Sequence, residues 1–294
     1  MKIDLIEPIG FCAGAKKAVE KALIFSDAAS KSVVIVGEIV HNEDVKKEFD
    51  KRNIINLKID DNLVNELNSL NNEAVIFGAH GHDKKYEEIL NDKNIEFIDT
   101  TCPVLLKMFE RIRRTEKPII FIGDANHDET KAVLSLNKNI YLFDYKKRVI
   151  PIIDNDDCIE VFSQSTLGPN VLDCAIKEIK SKYPNAIINK NLCNAVEKRQ
   201  EVVRNLNGYD IYLVCGGSNS SNTRSLYEIL KEKDSNVFLI SDEEDLNKIK
   251  FSDESKIALI SGTSTPIEVV QKYKEIIKNK GVLQGLWRKT RLLD

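Results

Sequence analysis

Of the six cysteines in this chain of 294 residues, at positions 12, 102, 158, 174, 193 and 215, three divide it almost evenly. Cys12 and Cys102 lie 90 positions apart, and Cys102 and Cys193 lie 91 apart. No two cysteines form a C-x-x-C pair, so neither a zinc ribbon nor a ferredoxin-type run is written locally, and nothing points to a secreted disulfide framework. A metal held by these thiols must draw its ligands from distant parts of the chain. Three thiolates with no fourth cysteine in register allow two chemistries. Zinc would take a histidine as its fourth ligand, and His41, His80 and His127 are available. A cubane iron–sulfur cluster would instead keep one iron open to substrate. Spacing alone does not choose between them, and a turn cysteine such as Cys12 is equally compatible with a small core residue.

Other polar residues recur in step with the cysteines. After Cys12 the apolar run 33–36 leads to His41-Asn42; after Cys102 the run 119–122 leads to His127-Asp128-Glu129; after Cys193 the run 211–215 leads to Ser220-Ser221-Asn222. A second apolar run in each third ends at His80, at Gln164-Ser165-Thr166 and at Thr263-Ser264. Cysteine, first polar end and second polar end thus follow one another three times. Ser220, Ser221, Asn222 and Ser264, with His41 and His80, are donors suited to a phosphate or diphosphate. They fall at loop-to-helix junctions, where backbone N–H groups favour anions, although Ser and Asn also cap helices without binding anything. Glu129, two residues beyond His127, is a candidate general acid; the ordinary fate of a glutamate in a first helical turn is to face solvent. A proton donor beside an electron source, with a diphosphate clamp, fits a reductive step on a small phosphorylated substrate. A zinc-dependent phosphate-ester enzyme is the rival on the same thiols. A non-catalytic iron–sulfur carrier would leave the clamp without purpose.

These residues need elements to hold them. The turn Gly10-Phe11-Cys12-Ala13-Gly14 separates an alternating run from a helical one, so Cys12 sits where a strand hands over to a helix. Continuous apolar strands alternating with amphipathic helices predict an α/β fold of parallel sheets covered on both faces. The repeat divides the chain into lobes at 13–98, 99–190 and 191–282, the last completed by the N-terminal strand within 1–12, with a tail at 283–294. Three such lobes could surround one polar cavity. Cys158, Cys174 and Cys215 fall on apparent apolar faces of a strand, a helix and a strand, and are expected in the core. The net charge of −3 excludes a global attraction to nucleic acid or anionic membrane. No apolar segment approaches the roughly eighteen residues of a membrane span, and the N-terminus has no signal-peptide pattern, so a cytoplasmic protein is expected.

Taken together, "GFCAG" at 10–14, His41-Asn42, "AHG" at 79–81, "DTTCP" at 99–103, His127-Asp128-Glu129, "SQST" at 163–166, the Cys193 segment with Arg199-Gln200, "NSSN" at 219–222 and "GTSTP" at 262–266 resemble the 4-hydroxy-3-methylbut-2-enyl diphosphate reductase (LytB) family, in order from about residue 3 to about residue 280. The resemblance implies a trefoil of three α/β lobes around a central 4Fe-4S cluster ligated by Cys12, Cys102 and Cys193. It implies that His41, His80, Ser220, Ser221, Asn222 and Ser264 hold the substrate diphosphate. His127 would lie against the substrate, Glu129 would feed protons, and Ser165, with Thr166 beside it, would meet the substrate hydroxyl. The reaction implied is a two-electron, two-proton reductive dehydroxylation giving isopentenyl and dimethylallyl diphosphate. Its electrons would come from a ferredoxin or flavodoxin, because the chain shows no flavin or nicotinamide fingerprint. The chain departs from the family at Ile9 and Lys16 and at Asp128, where proline is usual. His82, expected at the surface, is unusual, and the ending with Trp287 matches poorly.

Overall fold

The computed structural model describes residues 1–153, 158–189 and 191–290, with the backbone alone for 281–290. The expected lobe boundary at 190 and the last four residues of the tail lie outside the described residues; Trp287 and its neighbours are described as backbone only.

The described residues form twelve strands and eleven helices. The first stretch runs β1 (Lys2–Leu5), α1 (Ala13–Ala28), β2 (Val33–Val36), α2 (Glu43–Asp50), β3 (Ile55–Leu57), α3 (Leu63–Ser69), β4 (Ala74–Phe77), α4 (Lys84–Asp92) and β5 (Phe97–Asp99). It continues with α5 (Pro103–Arg114), β6 (Ile119–Gly123), α6 (Asp128–Leu134), β7 (Ile140–Asp144), β8 (Glu160–Ser163), α7 (Pro169–Lys182) and β9 (Ile187–Ile188). The last third holds α8 (Asn194–Asn205), β10 (Ile211–Cys215), α9 (Ser221–Lys231), β11 (Val237–Ile240), α10 (Glu243–Asn247), β12 (Lys256–Ser261) and α11 (Ile267–Thr290). The backbone of the expected tail therefore continues a helix as far as Thr290.

Three four-stranded sheets result, ordered β5-β4-β2-β3, β9-β8-β6-β7 and β1-β12-β10-β11. Every pairing in them is parallel. Read from the strand that precedes each evenly spaced cysteine, all three sheets have the same order: cysteine strand, second polar strand, first polar strand, outer edge. The chain forms two compact units: Met1–Cys12 with His41–Val45 and Asn194–Asp294, and Ala13–Val40 with Lys46–Cys193. The first unit contains one sheet and the second contains the other two.

The central strands β2, β4, β6 and β10 are buried at every position, which explains their unbroken Val and Ile runs. Alternate side chains on one strand serve opposite faces. In β6, Ile120 and Ile122 pack with Leu172, Ala175 and Ile179 of α7, while Ile119 and Phe121 pack with Leu105, Met108, Phe109 and Ile112 of α5. In β10, Leu213 and Cys215 face Val270 and Tyr273 of α11, and Tyr212 and Val214 face Leu226 and Leu230 of α9. Cys215 is a core residue, as its position in the run suggests, and burial raises its thiol pKa. The other two cysteines expected in the core are elsewhere. Cys174 is exposed, because it sits off the Leu172–Ala175–Ile179 stripe of α7. Cys158 is half-buried in the turn before β8.

Candidate active site

Each of the six central strands ends in a loop carrying the polar residues picked out by the repeat, the position at which open α/β sheets gather ligands. In the second unit, β6 leads to His127, which is the N-cap of α6: its Nδ1 accepts the Glu129 N–H at 3.2 Å. That bond occupies Nδ1 as acceptor, so the neutral ring carries its proton on Nε2. The His80 ring, from the loop after β4, meets the His127 ring edge-on with centroids 5.4 Å apart.

Glu129 is completely buried. Its Oε1 accepts the Ser165 N–H at 2.7 Å, and its Oε2 lies 2.9 Å from the Ser165 hydroxyl. Desolvation in this enclosure outweighs both hydrogen bonds and pushes the carboxyl up to about 7. A carboxyl in this state holds a proton near neutrality and has a hydroxyl within reach to pass it on. Thr166 faces elsewhere: its Oγ1 accepts from the Gln164 side chain at 3.0 Å. Gln164 itself is fully buried, and its Oε1 accepts the Asp124 N–H at 3.2 Å, joining the loops after β6 and β8.

In the first unit, the loop after β12 brings the Ser264 hydroxyl 3.3 Å from that of Ser220 and 3.2 Å from the carbonyl of His41. Ser220 is the N-cap of α9, accepting the Thr223 N–H at 3.4 Å, and Ser221 begins that helix. A Cβ on Gly217 would stand 2.6 Å from the His41 carbonyl, so only glycine permits this approach. Asn222 is 1% exposed, and neither atom of its amide finds a partner among the described residues. Buried amides are nearly always satisfied, so an unpartnered one at a helix N-terminus marks a place for a polar ligand. His41, Ser220, Ser221, Asn222 and Ser264 thus belong to one unit, and His80, His127, Glu129, Ser165 and Thr166 to the other.

The three evenly spaced cysteines are half-buried thiols, each immediately before a helix: α1 after Cys12, α5 after Cys102, α8 after Cys193. Each follows the edge strand of its own sheet, and each amide donates to a carbonyl two residues beyond the end of the neighbouring strand. The bonds are Cys12 N–H to Thr263 at 3.0 Å, Cys102 N–H to Ala79 at 3.0 Å and Cys193 N–H to Ser165 at 3.2 Å. One repeated backbone device thus places each of the three thiols at the start of a helix.

Sequence reasoning assigned no role to the residues that brace these turns. Arg199, 4% exposed, donates to the Gly10 carbonyl at 2.6 Å, and Gly10 N–H donates to Ser261 Oγ at 2.8 Å, so the turn before Cys12 is held from both sides. Asn191 accepts the Ser163 N–H at 3.0 Å and fixes the chain two residues before Cys193. Polar residues inside or beside apolar helical stripes, such as Arg199-Gln200, were the available signal. His82, expected at the surface, is 8% exposed: it stacks on Phe77 with centroids 3.7 Å apart, and its Nε2 lies 2.9 Å from Glu87 Oε1.

A family profile described as LytB protein matches residues 3–278. The chain belongs to the LytB family. One LytB relative, named 4-hydroxy-3-methylbut-2-enyl diphosphate reductase, from Campylobacter jejuni subsp. doylei, is 32% identical over 292 residues, covering 96% of this chain and all of the relative. Another of the same name, from Wolbachia sp. subsp. Brugia malayi, is 32% identical and covers 90% and 88% of the two chains. The solved structure of the E-1-hydroxy-2-methyl-but-2-enyl-4-diphosphate reductase from Plasmodium falciparum shares the fold with a TM-score of 0.80 at 24% identity, over 94% of this chain and 87% of that one. As in that LytB structure, the architecture is built from parallel-sheet α/β lobes.

Proposed function

We propose that this LytB chain is an oxidoreductase of the non-mevalonate isoprenoid route that reductively removes the hydroxyl of (E)-4-hydroxy-3-methylbut-2-enyl diphosphate. Substrate, two electrons and two protons give isopentenyl or dimethylallyl diphosphate and one water. The observation that carries the reading is Glu129, an enclosed carboxyl poised near neutrality against the Ser165 hydroxyl, in a chain whose relatives bear the reductase name.

Cys12, Cys102 and Cys193 would hold a 4Fe-4S cluster, and the equivalent anchoring of the three thiols is the feature that fits them for it. When bound, that cluster supplies electrons and a Lewis-acidic iron for the substrate's C4 oxygen. The chain's own residues do the rest. His41, His80, Ser220, Ser221, Asn222 and Ser264 hold the diphosphate, and the unpartnered Asn222 amide gains a phosphate oxygen for its N–H groups. Glu129 gives its proton to Ser165 Oγ, whose own hydrogen passes to the departing hydroxyl, so that water leaves rather than hydroxide. His127 presents Nε2–H to the substrate while its Nδ1 stays tied to the helix. Thr166, bound to Gln164, supports the Ser165 turn. Electrons arrive from a ferredoxin or flavodoxin. No helix among the described residues is long and apolar enough to cross a membrane.

The test is product analysis. Anaerobically reconstituted protein, substrate and a chemical reductant should yield both isomeric diphosphates, and Cys12→Ser protein should yield neither. Unchanged substrate after incubation with protein carrying a full complement of iron and sulfide would overturn the assignment.

A further inference from the structure

We propose that Arg199 is a positioning residue for the iron–sulfur cluster: it holds the turn that presents Cys12, and it keeps beside that turn a buried positive charge that raises the cluster's reduction potential. The proposal rests on the reading that Cys12 ligates the cluster. The buried stripe of α8 runs Val196, Arg199, Gln200, Val203, so the guanidinium enters the protein where helical periodicity calls for an apolar side chain. Only 4% of Arg199 is exposed. Its Nη2 donates to the Gly10 carbonyl at 2.6 Å, and its Nη1 to the Ala195 carbonyl, one turn back in α8, at 3.2 Å.

The turn itself is tightly held. Gly10 N–H donates to the Oγ of the fully buried Ser261 at 2.8 Å, and Cys12 N–H to the Thr263 carbonyl at 3.0 Å. Gly10 has φ +81, and a Cβ there would stand 3.1 Å from the Cβ of Ile267. The turn cannot swing away from the guanidinium without losing these contacts. Two residues of chain span at most about 7 Å, so Cys12 stays close to the charge.

Bracing alone does not ask for a charge. Both bonds named here end on neutral carbonyls, to which a neutral amide side chain also donates, whereas taking a guanidinium out of water carries a large desolvation cost. Arginine does not shed its proton to avoid that cost, so the charge is permanent. A cluster on three thiolates gains negative charge when it is reduced, and a cation in surroundings of low dielectric favours the reduced form over the oxidised one. Even at about 10 Å, with an effective dielectric of about 20, one unit charge moves a one-electron equilibrium by roughly tenfold.

The experiment is an EPR-monitored redox titration of full-length, anaerobically reconstituted proteins matched for iron and sulfide. Arg199→Gln should lower the reduction equilibrium at least tenfold, about 59 mV for one electron, and Arg199→Lys should stay within about threefold of wild type. Lys198→Gln removes an exposed charge from the neighbouring position and should stay within about twofold, which separates a local charge from the total. Ser261→Ala loosens the same turn and keeps the charge; it should release iron to a chelator faster than wild type while its equilibrium stays within about threefold. An unshifted Arg199→Gln, or an equal shift in Lys198→Gln or Ser261→Ala, would overturn the proposal. Should Arg199→Gln fail to fold, Arg199→Lys carries the test: a folded variant with the wild-type potential supports the proposal, and a tenfold fall overturns it. Failure of the cluster reading is seen separately, as Cys12→Ser protein that takes up as much iron and sulfide as wild type and gives the same EPR spectrum.

Discussion

Glu129 joins complete burial to a raised carboxyl pKa, and two consequences follow at the scale of that residue. On the proposal that Glu129 supplies the proton, kcat should fall roughly tenfold per pH unit above about 7, and Glu129→Gln should lower it at least about a hundredfold while leaving the proposed diphosphate residues in place. The linkage to stability has a definite sign. The carboxyl is raised from an ordinary 4.5 to about 7 by folding, so its stabilising contribution is complete below 4.5 and is lost as pH rises through about 7. Against Glu129→Gln, the wild type should therefore lose on the order of 3 kcal/mol of unfolding free energy between pH 4.5 and pH 8, a difference read by urea denaturation at each pH. A constant difference across that range would mean that Glu129 is solvated. Residue types and spacing made Glu129 and Ser165 visible as candidates. Sequence could not show that Ser165 rather than Thr166 turns to the carboxyl, because both follow the same strand and the choice is made by Gln164 capturing Thr166.

Elements decide what the loops can hold. Gly81, in the turn after His80, has φ +86, and a Cβ there would meet the Phe109 ring at 2.5 and 2.7 Å. Phe109 is itself fixed in the core at 3% exposure, so Gly81→Ala should cost about 1–3 kcal/mol in chemical denaturation, with Ala at the unconstrained Gly208 as the comparison for φ alone. The period-3.6 pattern made α5 and α7 legible, and the same pattern places Cys174 on the outside of α7, one position off its buried stripe. His82 escaped the reading because its burial comes from the ring of Phe77, five residues back, and the carboxylate of Glu87, five residues on. Pairings that close a turn in this way leave no periodicity in the sequence. Ser220→Ala should cost about 1 kcal/mol as a lost N-cap, and should weaken diphosphate binding by more than that loss of stability explains.

For the molecule as a whole, the strongest signal in the sequence was recurrence. Cysteine, first polar end and second polar end come three times because three sheets share one strand order, and fully buried central strands leave unbroken apolar runs that can be counted. The backbone device beneath it, an amide of each cysteine bound two residues past a neighbouring strand, carries no side-chain signature and had to be seen. Spacing likewise left the metal undecided between zinc and iron, since both accept three thiolates.

The central claim, that this LytB chain spends two electrons to remove the hydroxyl of a small allylic diphosphate, is tested most directly by anaerobic oxidation of a reduced viologen dye. Protein of measured iron and sulfide content is mixed with dye, and 4-hydroxy-3-methylbut-2-enyl diphosphate is added last. The account predicts oxidation that begins with substrate and consumes two dye equivalents per product formed, is absent in Cys12→Ser, and falls by at least about a hundredfold in Glu129→Gln. Substrate that leaves the dye reduced in the presence of a full cluster would contradict it.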